Sequence, residues 1–570
     1  MATLAAEHVQ HTAGGLPYSP NLTSEHWKFA WLNQFDPSPY ASETSRAGQA
    51  PLSTHWPVEA NGREIEAHRG GAFVDDYYFR IHINPQRLDL GNVVSDQSTD
   101  LFVWNAWLEP RTLNSITGTD EGVLVTGQPA PPLLVPALSE KLWKLTVTPL
   151  GQPTLDTVIR WNFASGESVG IRVTANRIIG WTFAPDWADG VIERLSASTD
   201  ILQSESAAEQ RRALRQAPRR EFEAPMYVEG RERQLLDLVL HGWSARTWAL
   251  PLWHEIQLLR TAVPGGALFI PCDTAFLDFH AGGLAMLRGE SAFTSETVAI
   301  DQVLDDGLQL ARVTQLEWPA GSRLYPVRSA QLVEEPSLTR LTDMAISADV
   351  HFLVVEPCDW PAVMPSTLYR GHPVYETRPD ESEDLTRTLS RLLLTLDNGS
   401  AIPLYTDTAD RALAVVRHRW IDLGREARAA VRSFIYAMNG RQKAVWVPTH
   451  ADDLTLASPA TPVSTTIDVL SCGYTRFASA KPGRRDIRIE LRDGTVVHRR
   501  ITGSIELSPE IERLALDSSL GRQVPPDDVD RISWLGLFRF DSDVQEIEHQ
   551  TDSEGIGSWS TVFREVPDES

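Results

Sequence analysis

The residues best equipped for chemistry lie in short, scattered groups. Gly166-Glu167-Ser168-Val169-Gly170 satisfies the glycine-x-serine-x-glycine pattern of a hydrolase nucleophile. That elbow needs a strand before the serine and a helix after it, so that the hydroxyl stands exposed at a helix start. Here Ile171-Arg172-Val173-Thr174 reads as a second strand, which makes the segment a hairpin turn. Asp273, Asp278 and His280 offer donors to a metal, but their irregular spacing matches no ligand motif. The carboxylate pairs Asp305-Asp306, Asp452-Asp453 and Asp527-Asp528 carry the groups a glycosidase uses, yet each sits in a turn-like context that favours solvated side chains. No phosphate-binding loop, dinucleotide fingerprint, paired-histidine metalloprotease helix or calcium loop occurs. The expectation is no catalytic residue, no metal and no cofactor.

Composition narrows the class further. At 570 residues with 42 % apolar content, the chain has material for several cores. A formal charge of −24 argues against duplex nucleic acid as a partner, because such binders cluster Lys and Arg against phosphates. The densest basic patch runs from Glu209 to Arg220 and holds Arg211, Arg212, Arg215, Arg219 and Arg220. Without interleaved aromatics or a glycine-rich loop, it reads as a surface for an acidic neighbouring subunit. Cys272, Cys358 and Cys472 lie far apart, so neither a disulfide framework nor a zinc site is expected, and synthesis in a reducing compartment is the simpler reading. The start, MATLAAEHVQHTAGG, has no basic-then-apolar leader pattern, and no apolar run approaches the length of a membrane span. The 18 tryptophans suggest large sandwich cores, sugar platforms or extensive subunit contacts.

The elements that would position these residues are organised around a repeat. GRERQLLDLVLHGWSARTWALPLWHEI runs from Gly230 to Ile256, and GREARAAVRSFIYAMNGRQKAVWVPTHADDL runs from Gly424 to Leu454. Each copy opens on Gly-Arg-Glu, continues through a mixed apolar and Arg-rich run to a glycine turn, and closes on an apolar strand stopped by Pro251 or Pro448. So long a period argues for duplicated domains, not a solenoid. Strict alternation at Trp143, Leu145 and Val147, and again at Ile159, Trp161 and Phe163, reads as half-buried strands. Strand density and turn spacing there suggest a seven-stranded, Ig-like β-sandwich over 76–175. The expected order is an N-terminal arm or cap (1–75), that sandwich, a first repeat module (176–260), a small all-β unit (261–335), a second repeat module (336–457) and a C-terminal β domain (458–570). The predicted fold class is mainly β and multi-domain, with short helices in the duplicated modules. Asp397-Asn398-Gly399-Ser400 and Asp493-Gly494 are expected hairpin turns. A helix over 383–394 competes with the first.

Several segments carry a family resemblance. The second copy, NGRQKAVWVPTHADDLTL with Arg419-Trp420, Gly424-Arg425, Phe434 and Tyr436 upstream, resembles a pattern of tail-tip and baseplate proteins of long-tailed phages. EQRRALRQAPRREFE, ARTWALPLWHE and RISWLGLFRFDSDVQEIEHQTD with the later FREVP are similar to the same family, and Mu-like transposable siphophages are the expected source. These segments span roughly 176–260 and 324–570. The resemblance implies a non-enzymatic virion component, a distal or minor tail protein, made and assembled in the bacterial host cytoplasm. Its implied partners are further copies of itself as a trimer or hexamer about the tail axis, the tube, tape measure and hub proteins, and a host surface glycan or receptor. It implies no nucleic acid partner and no membrane insertion of its own. Two repeats per chain would let a trimer offer sixfold-like symmetry to a hexameric tube. Arg246, Trp248, Trp253, Arg441, Trp446 and His450, with the five arginines above, are the candidate assembly contacts. The alternative is a carbohydrate-binding or carbohydrate-cleaving β protein, or a receptor-binding tail-tip component.

Overall fold

The computed structural model describes residues 77–567 apart from 120–121, 150–153, 244–245, 383 and 553–554, together with two short paired strands at Val58–Ala60 and Arg63–Ile65. The expected arm or cap otherwise lies outside the described residues. The fold is mainly β, as predicted, and divides into two compact units that meet at residue 178.

The first unit is a two-sheet sandwich. One sheet joins Ile81–Asn84, Gln97–Asn105, Glu140–Val147 and Val123–Thr126; the other joins Arg87–Val93, Ser168–Arg177, Thr154–Phe163, Arg111–Thr117 and Leu133–Val135. Among the described residues nine strands replace the seven expected, because the short strands at 123–126 and 133–135 carry too few residues to show alternation. Alternating residues of both sheets interleave in one core, where Trp143 and Trp161 meet edge to face at 6.1 Å. The serine of the hydrolase-like pattern opens the strand Ser168–Arg177 after a hairpin turn, and its hydroxyl donates to Asn162.

The second unit contains the same module twice. In module 1, β1 (Val191–Ser196) pairs antiparallel with β2 (Arg219–Glu229), which runs into helix α1 (Gly230–Trp243) and then β3 (Trp248–Pro251). After an inserted small β unit come β4 (Arg323–Leu332), the short β5 (Thr339–Arg340) and β6 (Ala345–Val354). Module 2 repeats every part: β7 (Thr386–Ser390), β8 (Leu413–Leu423), α2 (Gly424–Met438), β9 (Val445–Pro448), an insert, β10 (Val529–Phe540), β11 (Val544–His549) and β12 (Ile556–Glu565). The pairings repeat as well. β2 pairs with β6 and β3 with β4, as β8 pairs with β12 and β9 with β10. Each insert builds a hairpin (284–304, 486–508) that extends the long strand following it, over its own apolar core.

Local chemistry explains the strand-to-helix switch in both copies. β2 and β8 alternate buried and half-exposed residues, then the chain turns into a helix within one residue. That corner takes φ of +57° at Gly230 and +86° at Gly424, a backbone region glycine enters without a Cβ penalty. Helix α2 ends on Asn439 in the left-handed conformation. The run that the sequence shows only as mixed apolar and Arg-rich is therefore helix in both repeats.

The sheets place the module limits elsewhere than the sequence does. Boundaries at 260, 335 and 457 cut between strands that complete one another's sheets. β4 and β6, assigned by sequence to other segments, finish module 1, and β10 to β12 finish module 2 instead of forming a separate C-terminal domain. Their partners lie about a hundred residues away in the chain, beyond the reach of local periodicity. The hairpin turn at Asp397-Asn398-Gly399-Ser400 holds over the competing helix, since Leu393–Leu396 pairs with Leu404–Asp407.

Candidate functional site

The two modules meet along one strand pair, β1 against β11, with Glu193 opposite Ile547 and Val191 opposite His549. A buried network of charges lies across that junction. Glu193 accepts from Arg220 Nε at 2.7 Å, Arg432 Nη2 at 2.9 Å and His549 Nε2 at 2.9 Å. Arg432, on α2, also donates to Glu255 at 2.7 Å and faces His254 Nε2 at 3.0 Å, with Trp360 under its guanidinium. Arg220 and Arg328 both grip Asp278, whose backbone N–H donates to Glu255 at 2.6 Å. The rings of His254 and His549 stack 3.7 Å apart, within 8° of parallel.

Mutual compensation makes the network tolerable. Burial alone would raise the Glu193 carboxyl, but Arg220 and Arg432 outweigh it and hold the group well below the usual carboxylate range. Glu255 is pulled down in the same way by Arg432. Burial drives both histidines the other way, His254 to about 3 and His549 to about 4, so both rings are neutral at neutral pH. A neutral His549 then donates from Nε2 to Glu193, and His254 accepts from Arg432 at Nε2.

Glu193, His254 and His549 bring three ligand atoms close enough together for a metal ion. The surroundings do not fit one. The Arg432 guanidinium already bonds to two of these three residues, so the cation of this site is an arginine. Beside the network, a cavity of about 970 Å³ is lined by Trp360, Met364, Tyr375 and Phe434 together with Asp422 and Glu426. Burial, only partly offset by Arg428, raises Asp422 to about 7, and its Oδ2 has no hydrogen-bond partner among the described residues.

The residues singled out from sequence divide among several places. Strand alternation splits the arginine patch: Arg220 enters the buried network, Arg212 and Arg219 are exposed, Arg211 lies near Glu209, and Arg215 donates to the Ser196 carbonyl at 3.0 Å. Arg246 is half-buried two residues before β3. Trp248 and Trp253 sit in the module 1 core, Trp253 donating to the Phe183 carbonyl at 3.1 Å. Trp446 is core in module 2 and donates to the Tyr369 carbonyl at 2.8 Å. Arg441 bridges the modules, reaching the Thr199 carbonyl at 3.0 Å and Asp543 at 3.3 Å. His450 is buried, and burial with nearby Arg488 lowers it to about 3. Asp278 is held by arginines instead of joining Asp273 and His280 as a ligand set. Sequence reading missed Glu193, His254, Glu255, Arg328, Arg432 and His549 as members of a site. The available signal was a charge placed where the alternation calls for an apolar residue, as at Glu193 within Val191-Ile-Glu-Arg-Leu.

No protein-family model matches the chain, and no curated protein matches it. Among solved structures it is similar to the E. coli chaperone DraB, with 12 % identity and a TM-score of 0.13, over 26 % of this chain and 90 % of the other. It is also similar to the secreted serine protease VesC from Vibrio cholerae, with 7 % identity and a TM-score of 0.16, over 50 % of this chain and 51 % of the other. Likenesses this low carry no argument about fold or function.

Proposed function

We propose that the chain is a structural component of a phage tail tip or baseplate that joins the tail tube to the hub through ring contacts and performs no catalysis. The observation that carries this reading is the edge-to-edge fusion of two like modules in one continuous run of strands. A ring around an axis is built by repeating one head-to-tail contact, and here the chain contains one such contact already made. The sequence resemblance supplies the setting: further copies as a trimer or hexamer, with tube, tape measure and hub proteins as neighbours. The buried charges support a scaffold role, because they pair with one another across the module junction and pin it. The carbohydrate alternative has less to stand on, since Asp305-Asp306 lie in a turn, Asp527-Asp528 lie in a short 3-10 helix, and Asp453 is bonded to the backbone N–H of Trp534 at 2.9 Å. The test is imaging of purified particles from a host expressing the tagged chain. The expected result is a ring of three or six chains at the tail end, and absence of the chain from intact tails sinks the reading.

A further inference from the structure

Strand pairing runs without a break in the order β5, β6, β2, β1, β11, β12, β8, β7. Read by module, this is one four-strand unit written twice in the same direction. The junction in the middle joins β1 of module 1 to β11 of module 2. The counterparts of those two strands are β7 and β5, and they stand at the two ends of the run. Among the described residues, β7 pairs only with β8 and β5 only with β6, so each leaves one edge open. We propose that these edges pair between copies, β7 of one chain against β5 of the next, closing a head-to-tail ring through the contact already made inside each chain. The inference rests on the strand pairing and not on the tail reading, although it names the surface that reading would use.

Three features of the molecule point to the same occupant, a second copy. The first is burial along the edge. Val191 and Leu195 are 0 % and 1 % exposed at the filled junction, while their counterparts, Leu385 and Leu389, are 38 % and 58 % exposed. Apolar side chains placed to be covered, and left bare, mark an interface. The second is the helices. In α2, Arg432 is 2 % exposed because His254 and Glu255 of module 1 cover it, whereas Leu238 at the matching position of α1 is 68 % exposed. In the ring, the segment matching His254-Glu255 is Ala451-Asp452 of the neighbour. Ala451 and Asp452 are both exposed, and Asp452 would bring an acid to the helix that carries Arg231 and Arg233. The third is the hairpin between the first two strands of each module. In module 1, Thr199 and Glu209 of that hairpin bind Asp543 and Arg539 of module 2. In module 2, the matching hairpin exposes Leu393, Leu396, Ile402 and Tyr405.

Transferring the internal register fixes the pairing. Ile192 stands opposite Glu548 at the filled junction, which places Thr386 opposite Thr339 of the next copy. Arg387 then faces Leu338, and Arg391 faces Glu334, so opposite charges meet across the edge. The contact is heterologous: one copy supplies β7 and its neighbour supplies β5.

Two single variants in a Cys472→Ser background test it, Thr386→Cys and Thr339→Cys. Directly opposed strand residues bring their Cα atoms within disulfide reach. The expected result is an oxidised cross-link in the mixture of the two variants and in neither alone. The chain carrying both should give a covalent series ending in one closed species. Both positions are exposed, so folding is preserved, and melting of each variant checks this. Cross-linking of either variant with itself indicates a symmetric dimer and overturns the proposal. So does a chain that stays monomeric by mass photometry and sedimentation at rising concentration, or an open series that never closes. A chain that closes in this way yet is missing from tails refutes only the tail reading. A chain present in tails whose Thr386 and Thr339 variants do not cross-link refutes only this one.

Discussion

At the scale of single residues, the junction network is where stability and pH response are decided. Arg432 stabilises Glu193 and Glu255 together, and removing it leaves the buried Glu255 without its main partner and Glu193 with Arg220 as its remaining arginine. Deleting one member of a buried ion pair typically costs about 3–5 kcal/mol. Arg432→Ala is therefore expected to lower the unfolding midpoint of the second unit in denaturant strongly. Leu238→Ala, at the matching exposed position, should stay within about 0.5 kcal/mol of the parent in the monomer. The pH dependence follows from the histidines. Their folded values are depressed to about 3 and about 4, against about 6.5 in an unfolded chain, so below that pH the unfolded state binds more protons. The contribution of neutral His254 and His549 is complete above about 6.5 and is lost as the pH falls toward 4. The depressed Glu193 acts in the same direction at lower pH, being stabilising above the unfolded glutamate value of about 4.3 and lost as pH falls through its folded value. Stability measured from pH 7 down to 4 should decline, and His549→Gln should flatten that decline. An unchanged slope in the variant would remove His549 as its source.

At the scale of elements, what matters is how closely α2 and its following loop approach module 1. Gly440, just beyond the helix end, has φ of +65°, and a Cβ there would lie 2.5 Å from Asp543 Oδ1 and 2.6 Å from Ala197 Cβ. The next residue, Arg441, donates its backbone N–H to Asp543 at 3.1 Å. Gly424, at the start of the same helix, has φ of +86° but open space around it. Both Gly→Ala changes incur the strain of a positive φ, about 1 kcal/mol. Gly440→Ala adds a steric clash at the module junction, so it should destabilise the second unit clearly more than Gly424→Ala, measured as the difference in unfolding midpoint. Equal effects would mean that the loop yields without disturbing the junction. The same comparison explains why α2 is buried over most of its length and α1 is not: the two helices have the same context within their modules, and only α2 has a second module against it.

At the scale of the whole molecule, duplication sets the symmetry. A chain with two like modules joined head to tail contributes an even number of modules to any closed ring it forms, so three chains give six related positions. The filled junction is also differentiated from the open one. It buries Glu193, Arg220 and Arg432, where the open one exposes Arg387 and Leu238 and the position matching Arg220 is the buried Ala414. The inner contact is therefore locked by a charge network that the outer contact lacks, which suits an outer contact made only on assembly. Copy number in an imaged particle and the cross-linking pattern in solution both bear on this scale. Each can fail without the other.

What the sequence determined by itself was what local pattern carries. Alternation at Trp143, Leu145 and Val147 marked the sandwich, and Asp493-Gly494 marked a hairpin. The recurrence of Gly-Arg-Glu and the tryptophan strand marked a duplication. Alternation and turn chemistry act over a few residues, so one sequence suffices to read them. The extent of each module was not legible, because β6 and β12 complete their sheets through partners more than a hundred residues earlier in the chain. Nor was the charge network, whose members span from Glu193 to His549 and become neighbours only once both modules have folded and β1 lies against β11. The burial of Leu195 and the exposure of Leu389 show the same division: the two leucines hold equivalent positions in the repeat, and only the tertiary structure decides which one has a strand beside it.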